Sequence, residues 1–254
     1  MFKHFIIRNL HSLLGFENYL FTFTLFKIST LKHDNRKKEF VYFTKLFRRD
    51  ANVIVIGANT GITTIPIAKN VLSGKVFAFE PIDQNYKTLL RIIDYFNFTN
   101  IETYNIALGN KNTEIEMVMP VVDNTRSHGL CHIDDGSVPA YEQGIKFRVL
   151  MKKLDDIFKS FEGKLDGIKI VAENYEWFIF DGAKEIINKH RPLIYCELWF
   201  NEQRQKVLKQ VHDWDYDIKV LENEKLIDYN PEQHHTKNLF FVPAGVKYDL
   251  IPKH

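Results

Sequence analysis

Two short runs, Val53-Ile-Val-Ile-Gly-Ala-Asn-Thr-Gly61 and Val76-Phe-Ala-Phe-Glu-Pro81, constrain the fold of this chain more than any other feature. The first is a β-branched run ending in a glycine-bearing turn, which predicts a buried strand, a tight turn and a helix. The second predicts a neighbouring strand that ends in an acid. A glycine turn lets backbone approach a ligand closely, and a strand-end acid can grip vicinal ribose hydroxyls. Together they point to a nucleoside-containing ligand. The alternative role for Glu80 is a charge at the N-terminus of the next helix.

The spacing narrows the ligand. A dinucleotide fingerprint needs a glycine in the middle of the turn, and here Asn59 holds that place. No Gly-Lys-Ser or Gly-Lys-Thr follows, so the turn is not a P-loop. A turn without a pyrophosphate cradle fits a mononucleoside cofactor such as S-adenosylmethionine. A purely structural turn is the alternative.

Beyond this region strands and helices continue to alternate. Strands are expected at Ile101–Ala107, Glu114–Met119, Phe147–Leu150, Leu165–Val171 and Leu193–Leu198, with Tyr216–Leu221 and Leu239–Val242 as a closing pair. Helices are expected at Glu39–Arg48, Ile62–Val71, Asp83–Phe96, Leu154–Phe158, Tyr175–Lys189 and Gln203–Trp214. This order predicts an α/β fold with a mostly parallel, doubly wound sheet. Asn124–Tyr141 has no period and is expected to be a long loop. The expected organisation is an N-terminal helical extension, 1–38, and a Rossmann-like domain, 39–254.

Met1–Ser29 is rich in Phe, Leu and Ile but is broken by Arg8, Asn9, His11, Glu17, Asn18 and Lys27. It predicts neither a membrane span nor a secretory leader. It predicts a pair of amphipathic helices on the domain, or contact with a membrane surface or another subunit. Lys and Arg number 34 against 32 Asp and Glu, so the net charge of +2 gives no footprint for a nucleic-acid partner. Two cysteines make no disulfide framework, which suggests reduced thiols and a cytoplasmic chain. The expected partner is a small-molecule or glycan substrate.

The chain resembles the FkbM family of S-adenosylmethionine-dependent methyltransferases. The resemblance is carried by Ile56-Gly-Ala-Asn-Thr-Gly61, Phe79-Glu-Pro81, Ala107-Leu-Gly109 and Lys153-Leu-Asp-Asp156. It continues through Ile168-Lys-Ile170 with Glu173, and through Gly182-Ala-Lys-Glu185 to Arg191-Pro192 and Glu197. It implies a seven-stranded sheet and methyl transfer to the hydroxyl of a sugar or secondary metabolite. It further implies that Gly57, Asn59 and Gly61 line the methionine end, that Glu80 holds the ribose and that Ala107 lies near the adenine, with Ala58 and Pro81 also among the cofactor-binding residues.

Two departures stand out. Val55 replaces the acid that normally precedes the glycine turn. Ile168-Lys-Ile-Val-Ala-Glu-Asn174 replaces Ile-Lys-Ile-Asp-Val-Glu-Gly, so Val171 and Asn174 stand where the family has Asp and Gly. The expected effect is loss of carboxylates that hold the methionine ammonium. The function is therefore an O-methyltransferase or, alternatively, a methyltransferase-fold pseudoenzyme acting as a binding or scaffold subunit. Candidate bases for an alcohol acceptor are Glu173, His128 and His132. His212, His234 and His235 match no metal-ligand spacing, and no metal is expected. Trp199 and Phe200 are core or the floor of an acceptor pocket.

Overall fold

The computed structural model describes residues 13–122, 125–134, 136, 143–246 and 248. The first part of the N-terminal extension (1–12), parts of the 124–141 loop and the last residues lie outside that set. The main sheet has eight strands in the order β12-β11-β13-β10-β9-β1-β2-β3. They are β1 Val53–Ile56, β2 Val76–Phe79, β3 Ile101–Tyr104, β9 Gly167–Ile170, β10 Leu193–Glu197, β11 Tyr216–Glu222, β12 Lys225–Asp228 and β13 Asn238–Pro243. The five strands from β10 to β3 are parallel neighbours, and β13, β11 and β12 pair antiparallel beside them.

The central strands are buried on both faces, as their unbroken apolar runs require. Alternate residues feed two cores. Ile54, Phe79, Ile168 and Cys196 pack under the helices α5 Leu154–Ile157, α6 Glu176–Asp181, α7 Lys184–His190 and α8 Glu202–Asp213. Val53, Val55, Ala78 and Tyr195 face the other way, toward α2 Lys38–Thr44, α3 Thr64–Asn70 and α4 Asp83–Tyr95.

Three expectations change. The sheet has eight strands rather than seven, because Lys225–Asp228 turns back on Tyr216–Glu222 as a hairpin. The expected helix over 175–189 is two helices, interrupted at Gly182-Ala183. Glu114–Met119 does not extend the main sheet. It belongs to β5 Thr113–Val122, which pairs along its length with β8 Gly144–Lys152 in a second sheet. There β4 Ala107–Leu108 joins β8, and β6 Thr125–Arg126 and β7 His132–Ile133 join β5. The physical reason is visible in the pattern. Ile115 and Met117 alternate with Glu114 and Glu116, which suits an antiparallel sheet with one wet face over that stretch. Met117, Met119, Val149 and Met151 form its own core with Ile82 and Ala107.

The described part of the extension is one long helix, α1 Phe16–Thr30, with Tyr19, Leu20 and Thr24 buried. It is anchored to the glycine turn by a hydrogen bond of 2.6 Å between the buried hydroxyls of Thr24 and Thr60. Arg91 of α4 lies over the Phe21 ring and donates to the Asn18 side chain. The polar break after it is two 3-10 turns, Leu31–His33 and Asn35–Lys37, with Asp34 capping the second. Leu31 itself is buried. No helix among the described residues is long and apolar enough to cross a membrane.

Candidate functional site

A cavity of about 240 Å³ opens at the carboxyl ends of β1, β2, β9 and β10, where the second sheet and the 3-10 turns wall it in. Its floor is the turn after β1. Gly57 has φ +69°, and a side chain there would begin 2.0 Å from the Val171 carbonyl oxygen. Only glycine allows both the left-handed backbone and that approach. Asn59 also has positive φ, which Asn tolerates better than most residues.

Glu80 ends β2 and is almost wholly buried. One carboxylate oxygen accepts the Asn59 backbone N–H at 2.8 Å. The other accepts the Ile82 N–H at 3.1 Å and the Asn85 side-chain amide at 3.2 Å. The acid thus ties the glycine turn to the start of α4. Burial raises its pKa to about 7, against these hydrogen bonds, which lower it.

His128 sits in a 3-10 turn that crosses the glycine turn. Its carbonyl accepts from the side chains of Asn59 and Asn85, at 3.0 and 3.2 Å. Its ring meets Phe23 of α1 edge-on at 5.6 Å. His132, the other loop histidine, is buried and bonded to the Leu130 carbonyl rather than solvated, and it does not line the cavity.

Glu173 lines the cavity in left-handed backbone, φ +44°. Burial raises its carboxyl to about 7, and the neighbouring Glu197 and Glu176 push the same way. Glu197, at the end of β10, faces the same cavity. The next residue, Asn174, has φ +75°, which explains why a Gly suits that place and why Asn can replace it. Its side chain accepts a hydrogen bond from Asn201, the cap of α8.

Gly57, Ala58, Asn59, Glu80, Pro81, Ala107, His128 and Glu173, all expected from the sequence, converge on this cavity. Gly61 does not. Its Cα faces α4, where an added side chain would begin 3.0 Å from Leu89 Cδ1, so it serves helix packing. Of the two valines only Val171 lines the cavity; Val55 is fully buried in the apolar layer beneath. Trp199 and Phe200 lie outside the cavity wall, under Lys237 and Arg204. No group of three or more His, Cys, Asp or Glu among the described residues is placed to hold a metal.

Sequence reasoning missed two residues. Glu176 is buried at the start of α6, where its carboxylate accepts the Ala172 N–H at 2.9 Å and shapes the Glu173 turn. Lys169 on β9 is 3% exposed and lines the cavity. Its ammonium donates to the carbonyls of Ile56 at 3.2 Å and Gly57 at 2.9 Å. A lone Lys inside the apolar run Ile168-Lys-Ile170 was the available signal.

The methyltransferase FkbM domain matches residues 56–225 of the chain. No curated protein matches the sequence. Among solved structures, the FkbM methyltransferase from Methylobacillus flagellatus shares the fold, with 15% identity and a TM-score of 0.51. The match covers 77% of this chain and 44% of that one, so this chain spans less than half of its length. An S-adenosylmethionine-dependent O-methyltransferase from Thermotoga maritima shows 13% identity, covering 85% of this chain and 69% of that one, at a TM-score of 0.45. Fibrillarin from Aeropyrum pernix, in complex with S-adenosylmethionine, shows 11% identity over 78% and 68%, at 0.42.

Proposed function

The chain belongs to the FkbM methyltransferase family, and on that premise we propose that it transfers a methyl group from S-adenosylmethionine to a hydroxyl oxygen of a glycan or related small molecule. The observation that carries this reading is the cavity itself: a glycine turn locked by a buried strand-end acid, at the carboxyl edge of parallel strands. In this reading Gly57, Ala58 and Asn59 meet the methionine end, Glu80 and Pro81 the ribose, and Ala107 the adenine. The bound cofactor supplies an electrophilic methyl. The chain has to align the acceptor oxygen with it, exclude water and take up a proton. Glu173 suits the last task, since a carboxyl raised to about 7 accepts a proton near neutral pH. The ring of His128, packed on Phe23, is a wall of the site in this account rather than its base.

The second reading, a pseudoenzyme that binds the cofactor without turnover, is favoured by Val171, which puts a methyl surface in the cavity where the family carries a carboxylate. Incubation with methyl-labelled S-adenosylmethionine and a panel of glycans, sugar alcohols and hydroxylated metabolites separates the two. Label on an acceptor oxygen supports the enzyme. Cofactor binding without transfer to any acceptor supports the pseudoenzyme. The free thiols Cys131 and Cys196 support a cytoplasmic setting. Exposed Leu13, Leu14 and Phe26 support contact of the N-terminal segment with a membrane surface or another subunit.

A further inference from the structure

Lys169 is a buried cation whose hydrogen-bond shell the chain leaves incomplete. An ammonium carries three donors, and Lys169 uses two, on the Ile56 and Gly57 carbonyls. No carboxylate lies within ion-pair distance of it among the described residues. The strand register sets Val55 directly beside it on β1 and Tyr195 beside it on β10. Val171 follows two residues on, just past the end of β9. Valines therefore stand at both family acid positions nearest to it. Burying a charge without an ion pair is costly, and the cost is recovered when a ligand of opposite charge completes the shell.

We infer that Lys169 is a ligand-binding residue whose third N–H takes the carboxylate at the amino-acid end of the methyl donor. This rests on the reading that the cavity holds S-adenosylmethionine. Acids at the two valine positions would meet the donor's ammonium; with both gone, the lysine that the motif also carries is left to meet its carboxylate. The ammonium is left to Glu197, which lines the same cavity. Burial, with Lys37 adding repulsion, lowers Lys169 to about 8, while Glu197, Glu80 and Glu173 oppose that shift. Lys169 is thus protonated at neutral pH.

The test is calorimetric titration of the full chain with three ligands. They are S-adenosylhomocysteine, its decarboxylated counterpart, which keeps the ammonium, and 5′-methylthioadenosine, which lacks the whole amino-acid tail. The expected result is that the wild type binds S-adenosylhomocysteine about tenfold or more tighter than the decarboxylated compound. That preference shrinks above about pH 8. Lys169→Met removes it while leaving 5′-methylthioadenosine affinity unchanged. Equal wild-type affinity for the first two ligands overturns the inference while leaving the nucleoside pocket intact, a result that needs no variant to fold. Equal loss of all three ligands in Lys169→Met also overturns it, since that is the mark of a turn-holding role alone. Failure of the wild type to bind any of the three, 5′-methylthioadenosine included, removes the nucleoside reading and this inference with it.

Discussion

Gly57 meets two constraints at one atom: its φ is +69°, and the Val171 carbonyl occupies the space where a side chain would begin. Gly57→Ala is expected to cost about 2–4 kcal/mol, from left-handed strain plus a displaced β9 edge. Chemical denaturation measures this, and S-adenosylhomocysteine affinity is expected to fall with it. Glu173→Gln separates chemistry from binding. Methyl transfer is expected to drop about 10²-fold while cofactor affinity stays within a few-fold, read from single-turnover rates and titration. At this scale the glycine turn and Glu80 were legible, because a turn and a strand-end acid about 20 residues apart leave a signature along the chain. Lys169 and Glu176 were not. The importance of Lys169 arises from carbonyls more than a hundred residues earlier, which only the β1–β9 register brings to it. Gly61 looked like Gly57 in sequence, yet its open side faces Leu89 rather than ligand.

Among the elements, α1 and the small second sheet do most to close the site. The Thr24–Thr60 hydrogen bond pins α1 to the glycine turn in a fully buried setting. Thr24→Val leaves the Thr60 hydroxyl without that partner and is expected to cost about 1–2 kcal/mol, measured by urea unfolding. The parallel strands were readable because burial on both faces produces unbroken apolar runs. The departure of β5 into a separate sheet was less readable, since alternation tells which face is buried but not which sheet the strand joins. The division at Gly182-Ala183 was hidden because apolar residues keep helical spacing on both sides of it.

For the whole molecule, the buried charges at the sheet edge set a dependence on pH. Glu80, Glu173 and Glu176 are raised from 4.5 to about 7, so the folded state holds more protons than the unfolded state across that window. The stability they contribute is present below pH 4.5 and lost as pH rises through 7. Lys169 is lowered from 10.5 to about 8, so its contribution is present above 10.5 and lost as pH falls through 8. Stability of the ligand-free chain is therefore expected to be lowest between pH 7 and 8. Its melting temperature there should lie about 5–10 °C below the value near pH 5.5, by scanning calorimetry. The central claim is that this sheet edge is a nucleoside pocket for a methyl donor. Titration with S-adenosylmethionine and S-adenosylhomocysteine at pH 7 tests it most directly. The account predicts one site per chain and saturable heats at micromolar to tens-of-micromolar ligand; no binding of either compound at about 1 mM, a ceiling near −4 kcal/mol, would contradict it.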